Sequence, residues 1–212
     1  MSHRASITIT ALLLAAAPAA AEPLDRSVSV NFGLMQPIVL SGGNVEATLR
    51  FDRWVVDYSH GWALQILTTG TLAEQHLRQT VPYTTGFGGG PQFALTPALR
   101  FDVRAEFKLH KFVFDVETDD RRRTIASYRT ATVGAGAYLS WQPFRRRGGA
   151  LAGIVTTASV RYWPRVWSSL PGDQVTYANE ATGRMEVHRA ADIGLANTPV
   201  IVNLTIGYLF PL

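Results

Sequence analysis

Apolar and polar residues alternate through most of the chain, and the clearest alternation lies in its last segment. In residues 200–210 every even position is apolar or aromatic, whereas the odd positions include Asn203, Thr205 and Gly207. A period of two is typical of a strand whose two faces meet different surroundings. About ten residues is also the length that a tilted strand needs to cross a bilayer. Because a lone strand would leave backbone groups unpaired in lipid, the segment predicts a closed barrel around it.

A second strand with two unlike faces covers residues 101–109. Its apolar positions are Phe101, Val103, Ala105, Phe107 and Leu109, and its charged positions are Asp102, Arg104, Glu106 and Lys108. In a soluble β-sandwich the charged face would lie in water, but in a small membrane barrel it would point into a packed polar interior. Periodicity is the same in both cases, so the direction of this face separates the two folds.

The complete pattern predicts an all-β fold, an antiparallel up-and-down transmembrane β-barrel with eight strands; six or ten strands are the alternatives. The eight segments are 27–35, 45–58, 62–66, 84–95, 101–116, 128–144, 151–166 and 200–210. A change of phase after Arg53 indicates a β-bulge, with two shorter strands as the alternative. Ser59, His60 and Gly61 are expected to form a tight turn. We expect the last segment to pair with the first.

The predicted connections fall into a short and a long class. Residues 96–98 and 145–149 are short turns, whereas the irregular stretches are 68–80, 119–123 and 168–192, the last with a hairpin of its own. Outer-membrane barrels have short periplasmic turns, long external loops and an even number of strands. The two classes alternate along the chain as an eight-stranded barrel requires.

The first residues have the organisation of a secretory signal. His3 and Arg4 precede an apolar run at 7–17, and Ala19-Ala20-Ala21 precedes Glu22. A basic start, an apolar core and a small-residue cleavage site predict a signal peptide over residues 1–21 that is cleaved, and a barrel domain over 22–212. A membrane anchor is the alternative, but it needs about 20 apolar residues and this run is shorter.

Composition removes several classes of function. The 212 residues include 0 cysteines, which excludes disulfides, thiolate metal sites, a cysteine nucleophile and a lipid-modified cysteine. The formal net charge of +4 is modest, and arginines alternate with acidic residues along the strands, so nucleic acid is not an expected partner. The histidines lack the spacing of metal ligands, and no metal or cofactor is predicted.

Ser59, His60 and His110 are the residues that a catalytic interpretation would use, with Asp57 as the acid. A triad requires the base to reach the nucleophile, but adjacent residues of an extended strand point in opposite directions. The sequence therefore favours a non-catalytic role. Charged residues on the polar strand faces are instead expected to pair inside a narrow, packed barrel. This predicted interior network contains Glu46, Arg50, Asp52, Asp102, Arg104, Glu106, Lys108 and Arg161.

The chain resembles the small bacterial outer-membrane β-barrel proteins of the OmpA/OmpX-like class. The resemblance rests on Ala19-Ala20-Ala21, on the alternating strands and on the closing strand 203–210. It implies a location in the bacterial outer membrane and contact with the barrel-assembly machinery, which in this class reads a terminal aromatic residue. Here Phe210 is followed by Pro211-Leu212, a departure from that pattern.

A structural or surface-interaction role is the function that this resemblance favours. Outer-membrane lipid and lipopolysaccharide would be the partners, and Arg121, Arg122 and Arg123 are candidates to bind lipopolysaccharide phosphates by charge-assisted hydrogen bonds. Two alternatives remain at this point: a lipid-modifying outer-membrane hydrolase and a soluble, exported, lipocalin-like ligand binder.

Overall fold

The computed structural model describes residues 26–66, 76–118, 121–180, 182–194 and 197–212. The predicted signal peptide lies outside them. The strands in these residues are β1 Ser27–Gly33, β2 Gly43–Phe51, β3 Trp54–Ile66, β4 Leu77–Thr96, β5 Leu99–Thr118, β6 Arg121–Trp141, β7 Ile154–Tyr162, β8 Arg165–Ser168, β9 Gln174–Asn179, β10 Arg184–Arg189 and β11 Val200–Pro211. Gln36–Leu40 is a π-helical turn, and Arg145–Arg147, Ala150–Gly153 and Pro171–Asp173 are 3-10 turns. None of the helices described is long and apolar enough to cross a membrane.

Eight of the strands form a closed ring. β1 to β7 pair in chain order, β7 pairs with β11, and β11 pairs with β1, every pair being antiparallel. The seam runs from Ser27 opposite Pro211 to Gly33 opposite Thr205. The prediction of an eight-stranded barrel closed by the first and last strands is confirmed.

The predicted boundaries of the second and third strands are wrong, although the strand count is right. β2 ends at Phe51, and Asp52 and Arg53 turn the chain, with Asp52 at φ 49°. Aspartate tolerates this left-handed conformation better than most residues, so the phase change comes from a turn and not from a bulge. The expected turn at Ser59-His60-Gly61 does not exist, because β3 runs without a break through these residues. The unpredicted turn at 52–53 adds one strand and the absent turn at 59–61 removes one, so the number of strands stays at eight.

The charged face of β5 points inward. Asp102, Arg104, Glu106 and Lys108 are at most 3% exposed, whereas Val103, Phe107 and Leu109 on the opposite face are about 40% exposed. The soluble β-sandwich, which requires the reverse arrangement, is therefore wrong. The outer face continues around the ring with exposed apolar residues that include Phe32, Leu49, Trp54, Val56, Trp62, Phe87, Val133, Leu139, Trp141, Val160, Tyr162, Val202, Leu204, Ile206 and Phe210.

The two ends of the barrel differ. At one end, called here the turn end, lie the short connections after β2, β4 and β6 and the neighbouring residues Arg26 and Leu212. At the other, called the loop end, β4, β5 and β6 extend beyond their neighbours, with 20, 20 and 21 residues against 13 in β3 and 9 in β7. The predicted long stretch 168–192 lies there and contains the predicted hairpin, β9 with β10. Parts of the stretches 68–80 and 119–123 lie outside the described residues; of the remainder, His76 is in a turn and the other residues belong to β4 and β6.

Candidate functional site

Arg104 connects three buried carboxylates in the barrel interior. Its guanidinium lies 2.7 Å from Glu46 Oε1, 3.2 Å from Asp57 Oδ1 and 2.6 Å from Asp102 Oδ2. These acids come from β2, β3 and β5, so the pairing follows from strand alternation that directs each of them inward. A buried charge is tolerated only when paired and hydrogen-bonded. Arg104 therefore ties three strands together across the interior.

Lys108 and Arg161 extend this network. Lys108 Nζ lies 3.4 Å from Glu106 Oε2 and 3.7 Å from Asp57 Oδ2, and it donates to Ser59 Oγ at 2.8 Å. Arg161, on β7, lies 3.2 Å from Glu46 Oε2 and links the network to the opposite side of the ring. Arg104 on β5 and Arg161 on β7 thereby share the carboxylate of Glu46.

Two aromatic rings contact the cations of the network. Tyr138 donates a hydrogen bond to Glu106, and its ring faces Arg104 at 3.8 Å and Arg161 at 4.9 Å. Trp163 lies 5.3 Å from Arg161 and 5.2 Å from Lys108. Cation–π contacts are strongest where the cation is removed from water, as here. The interior is thus packed with side chains, as expected for a barrel of eight strands.

Seven of the eight residues predicted for the interior network are buried, and Asp52 is not. Asp52 lies in the turn between β2 and β3 and is exposed, so its predicted position is wrong. Arg50 is buried and donates to Ser29 Oγ at 2.9 Å and Ser140 Oγ at 3.3 Å. Asp57 also belongs to the network, although it is absent from the predicted set. The predicted phase change after Arg53 directs Asp57 to the inward face with Val55 whether it comes from a bulge or from a turn.

The candidate catalytic residues do not converge. Ser59 points inward to Lys108, whereas its neighbour His60 faces outward near the Trp62 ring. His110 is buried, and its two ring nitrogens are hydrogen-bonded to Thr84 at 2.7 Å and Thr132 at 3.1 Å. The hydrolase interpretation therefore loses the triad on which it depended. Within the described residues, no group of three or more His, Asp or Glu side chains could hold a metal ion.

Arg121, Arg122 and Arg123 lie exposed at the loop end, at the start of β6. Arg122 pairs with Glu117 at 2.9 Å, and Arg123 pairs with Glu180, in the β9–β10 turn, at 2.6 Å. Both pairs are about half exposed, so they contribute little to stability and are screened by salt. The three arginines are accessible from the loop end.

An apolar cluster lies between the charged network and the loop end, where the loop after β7 covers it. Its members from the strands are Leu64, Leu77, Val81, Phe112, Phe114, Val116, Ala126 and Tyr128, and those from the loop are Leu170, Tyr177, Ala190 and Ala191. His188 of β10 stacks on Phe114 at 3.7 Å between ring centroids, and its Nε2 lies 3.1 Å from the Tyr128 hydroxyl. Burial lowers the pKa of His188 to about 4, which keeps the ring neutral in this contact.

The chain matches no protein-family model and no curated protein. Among solved structures it is similar to Ail, the attachment invasion locus protein of Yersinia pestis, with 13% identity and a TM-score of 0.47 over 89% of this chain and 100% of that chain. The N-terminal β-barrel domain of Pseudomonas aeruginosa OprF has 13% identity and a TM-score of 0.45, covering 89% and 100%.

Neisserial surface protein A has 11% identity and a TM-score of 0.41, covering 88% of this chain and 95% of that chain. The structures to which the chain is similar are thus small outer-membrane β-barrel proteins, the class that its sequence resembles. The barrel fold itself rests on the closed ring of strands described above.

Proposed function

We propose that the protein is an outer-membrane β-barrel with a structural or surface-interaction role and a packed interior that conducts no ions. One observation carries this proposal: charged residues are ion-paired inside the ring, while large apolar residues are exposed on its outside. Monomeric soluble proteins rarely expose so large an apolar surface. An apolar outer surface of this kind is compatible with the hydrocarbon region of a lipid bilayer.

The height of the apolar outer face supports a membrane-spanning role. On β3, the outward residues from Trp54 to Trp62 are all apolar or aromatic apart from His60. Eight residue steps correspond to about 26 Å along a strand, or roughly 20 Å of height at a tilt of about 40°, which is most of the ~25 Å band of known membrane barrels. Trp54, Phe93, Trp141 and Phe210 form an aromatic belt at the turn end. Such belts lie at the lipid headgroups.

Two layers fill the interior and support a role without conduction. The charged network crosses the ring from β2 to β7 through Glu46 and Arg161. Nearer the loop end, the apolar cluster joins β4, β5 and β6 to the loop after β7. Eight strands enclose a space that side chains can fill.

The loop end supports the surface-interaction part of the proposal. Arg121, Arg122 and Arg123 would bind lipopolysaccharide phosphates, because a phosphate can replace the exposed Glu117 and Glu180 as their partner. Export through cleavage after Ala21 and insertion by the barrel-assembly machinery belong to the same proposal.

Membrane extraction and bilayer recording test the proposal together. We expect the protein in the outer-membrane fraction, released in folded form only by detergent, and no stable conductance after insertion of the purified barrel into a planar bilayer. Recovery of a folded, soluble periplasmic species without detergent would overturn the membrane role. Stable ion conductance by the inserted wild-type barrel would overturn the packed interior.

A further inference from the structure

The turn end carries a second concentration of positive charge, separate from Arg121 to Arg123. Among the described residues that lie beyond the strands at this end, the charged side chains are Arg26, Asp52, Arg53, Arg145, Arg146 and Arg147. Five of these six are arginines. Arg26, Arg53, Arg146 and Arg147 are exposed, and Arg145 is partly exposed. A surface of this sign attracts anionic groups.

These arginines lie immediately beside the aromatic belt. Arg145–Arg147 begins four residues after Trp141, an outward residue that is 52% exposed. Arg147 lies 5.4 Å from the ring of Phe144, and the exposed Leu151 follows on the other side of the turn. An aromatic belt marks the depth of the headgroups, so the guanidinium groups of this turn lie at the depth of the lipid phosphates.

The two ends of the barrel differ in the number of acidic side chains near their arginines, and this difference indicates a partner for the turn end. At the loop end, Arg122 and Arg123 have acidic neighbours within 3 Å. Among the described residues beyond the strands at the turn end, five arginines lie before β1, between β2 and β3 and between β6 and β7, and Asp52 is the one acidic side chain. Guanidinium groups bind phosphate oxygens through two parallel hydrogen bonds, and an interfacial cluster adds their attraction to a charged leaflet.

We propose that the turn end is a binding surface for anionic phospholipid headgroups, formed by Arg145, Arg146 and Arg147 together with Arg26 and Arg53. This inference rests on the proposed membrane function, which places the turn end at a phospholipid leaflet. The surface holds the barrel at a fixed depth, because phosphates below the aromatic belt oppose its displacement in either direction.

Lipid retention by the full-length barrel in a zwitterionic detergent tests the inference. Native mass spectrometry would compare phosphatidylglycerol with phosphatidylcholine, at low and high salt. We expect preferential retention of phosphatidylglycerol, weakened by salt, and a loss of about ten-fold or more in its affinity in R145Q/R146Q/R147Q, since each basic residue at an anionic surface contributes several-fold. Inorganic phosphate at millimolar concentration should compete weakly, because it has no acyl chains to hold it beside the aromatic belt.

The matched control is R121Q/R122Q/R123Q, which removes the same charge at the loop end. It should retain the phosphatidylglycerol preference. If the triple variant at the turn does not fold, R146Q/R147Q replaces it, because both side chains are exposed. Equal retention of the two lipids by the wild-type barrel, or equal losses in the two sets of variants, would overturn the inference. Circular dichroism and the heat-dependent gel shift report barrel formation separately, and a failure of the membrane proposal is recognised by a folded protein that stays soluble without detergent.

Discussion

The charged layer and the apolar layer of the interior have different ways of holding strands together. In the charged layer, Arg104 contacts three carboxylates from three strands, and each contact depends on defined geometry. In the apolar layer, Phe114 and Tyr128 pack against side chains of the loop after β7, which does not belong to the ring. Charges need directional partners, whereas apolar contact depends mainly on the area removed from water. We therefore expect the charged layer to stabilise the whole barrel against unfolding and the apolar layer to stabilise docking of the loop.

Removing one shared carboxylate should have the largest effect. Glu46→Gln leaves Arg104 and Arg161 with a neutral partner in place of an anion, and breaking a buried ion pair costs about 3–5 kcal/mol. Denaturant unfolding in detergent micelles, followed by circular dichroism, would measure the loss for the whole barrel. Glu117→Gln is the matched control, because its pair with Arg122 is exposed. Equal unfolding midpoints for Glu46→Gln and the wild type would contradict the central position given to this carboxylate.

Truncating an aromatic residue of the apolar layer should affect the loop and leave the ring intact. Phe114→Ala removes the ring on which His188 stacks and, by the cost of large-to-small core changes, weakens docking of the β9–β10 hairpin by about 3 kcal/mol. Trypsin cleavage after Arg184 and Arg189 would accelerate while the barrel remains folded. Phe107→Ala, on the outer face of the same strand, should leave cleavage unchanged. Similar cleavage in both variants would show that the cluster does not hold the hairpin.

A fall in pH should weaken docking of the β9–β10 hairpin, with a smaller effect than either substitution. The pKa of His188 is lowered to about 4 by burial, below its ordinary value of 6.5, so the docked hairpin favours the neutral ring. Undocking is then linked to proton uptake. The contribution is complete above about 6.5 and declines as the pH falls towards 4, since the proton binds the undocked ring more tightly. In the wild type, protection of the β9 and β10 amides, taken relative to the intrinsic exchange rate at each pH, should fall as the pH is lowered over this range, and His188→Leu should reduce this fall. A flat profile for the wild type would contradict it.

Much of the fold could be predicted from local pattern. The alternation in 101–109 and 200–210 defines two strand faces, and the contrast between short and long connections gives an even strand count. The second and third strands show the limit, because a two-residue turn and a one-residue bulge shift the phase of alternation in the same direction. Asp52 is consequently predicted inside, although it lies in the exposed turn. Trp163 shows another limit: it follows the end of β7, and only the structure places its ring in the interior near Lys108.

The sequence by itself determined that the strands have one apolar and one charged face, because that information is repeated every two residues within each strand. Only the tertiary structure decided which face is inside, because periodicity is identical for a barrel in lipid and a sheet in water. It also decided that Glu46 is shared by Arg104 and Arg161, and that His188 stacks on Phe114. Those contacts join residues from distant parts of the chain, and their geometry depends on ring closure and strand register, which no local pattern contains.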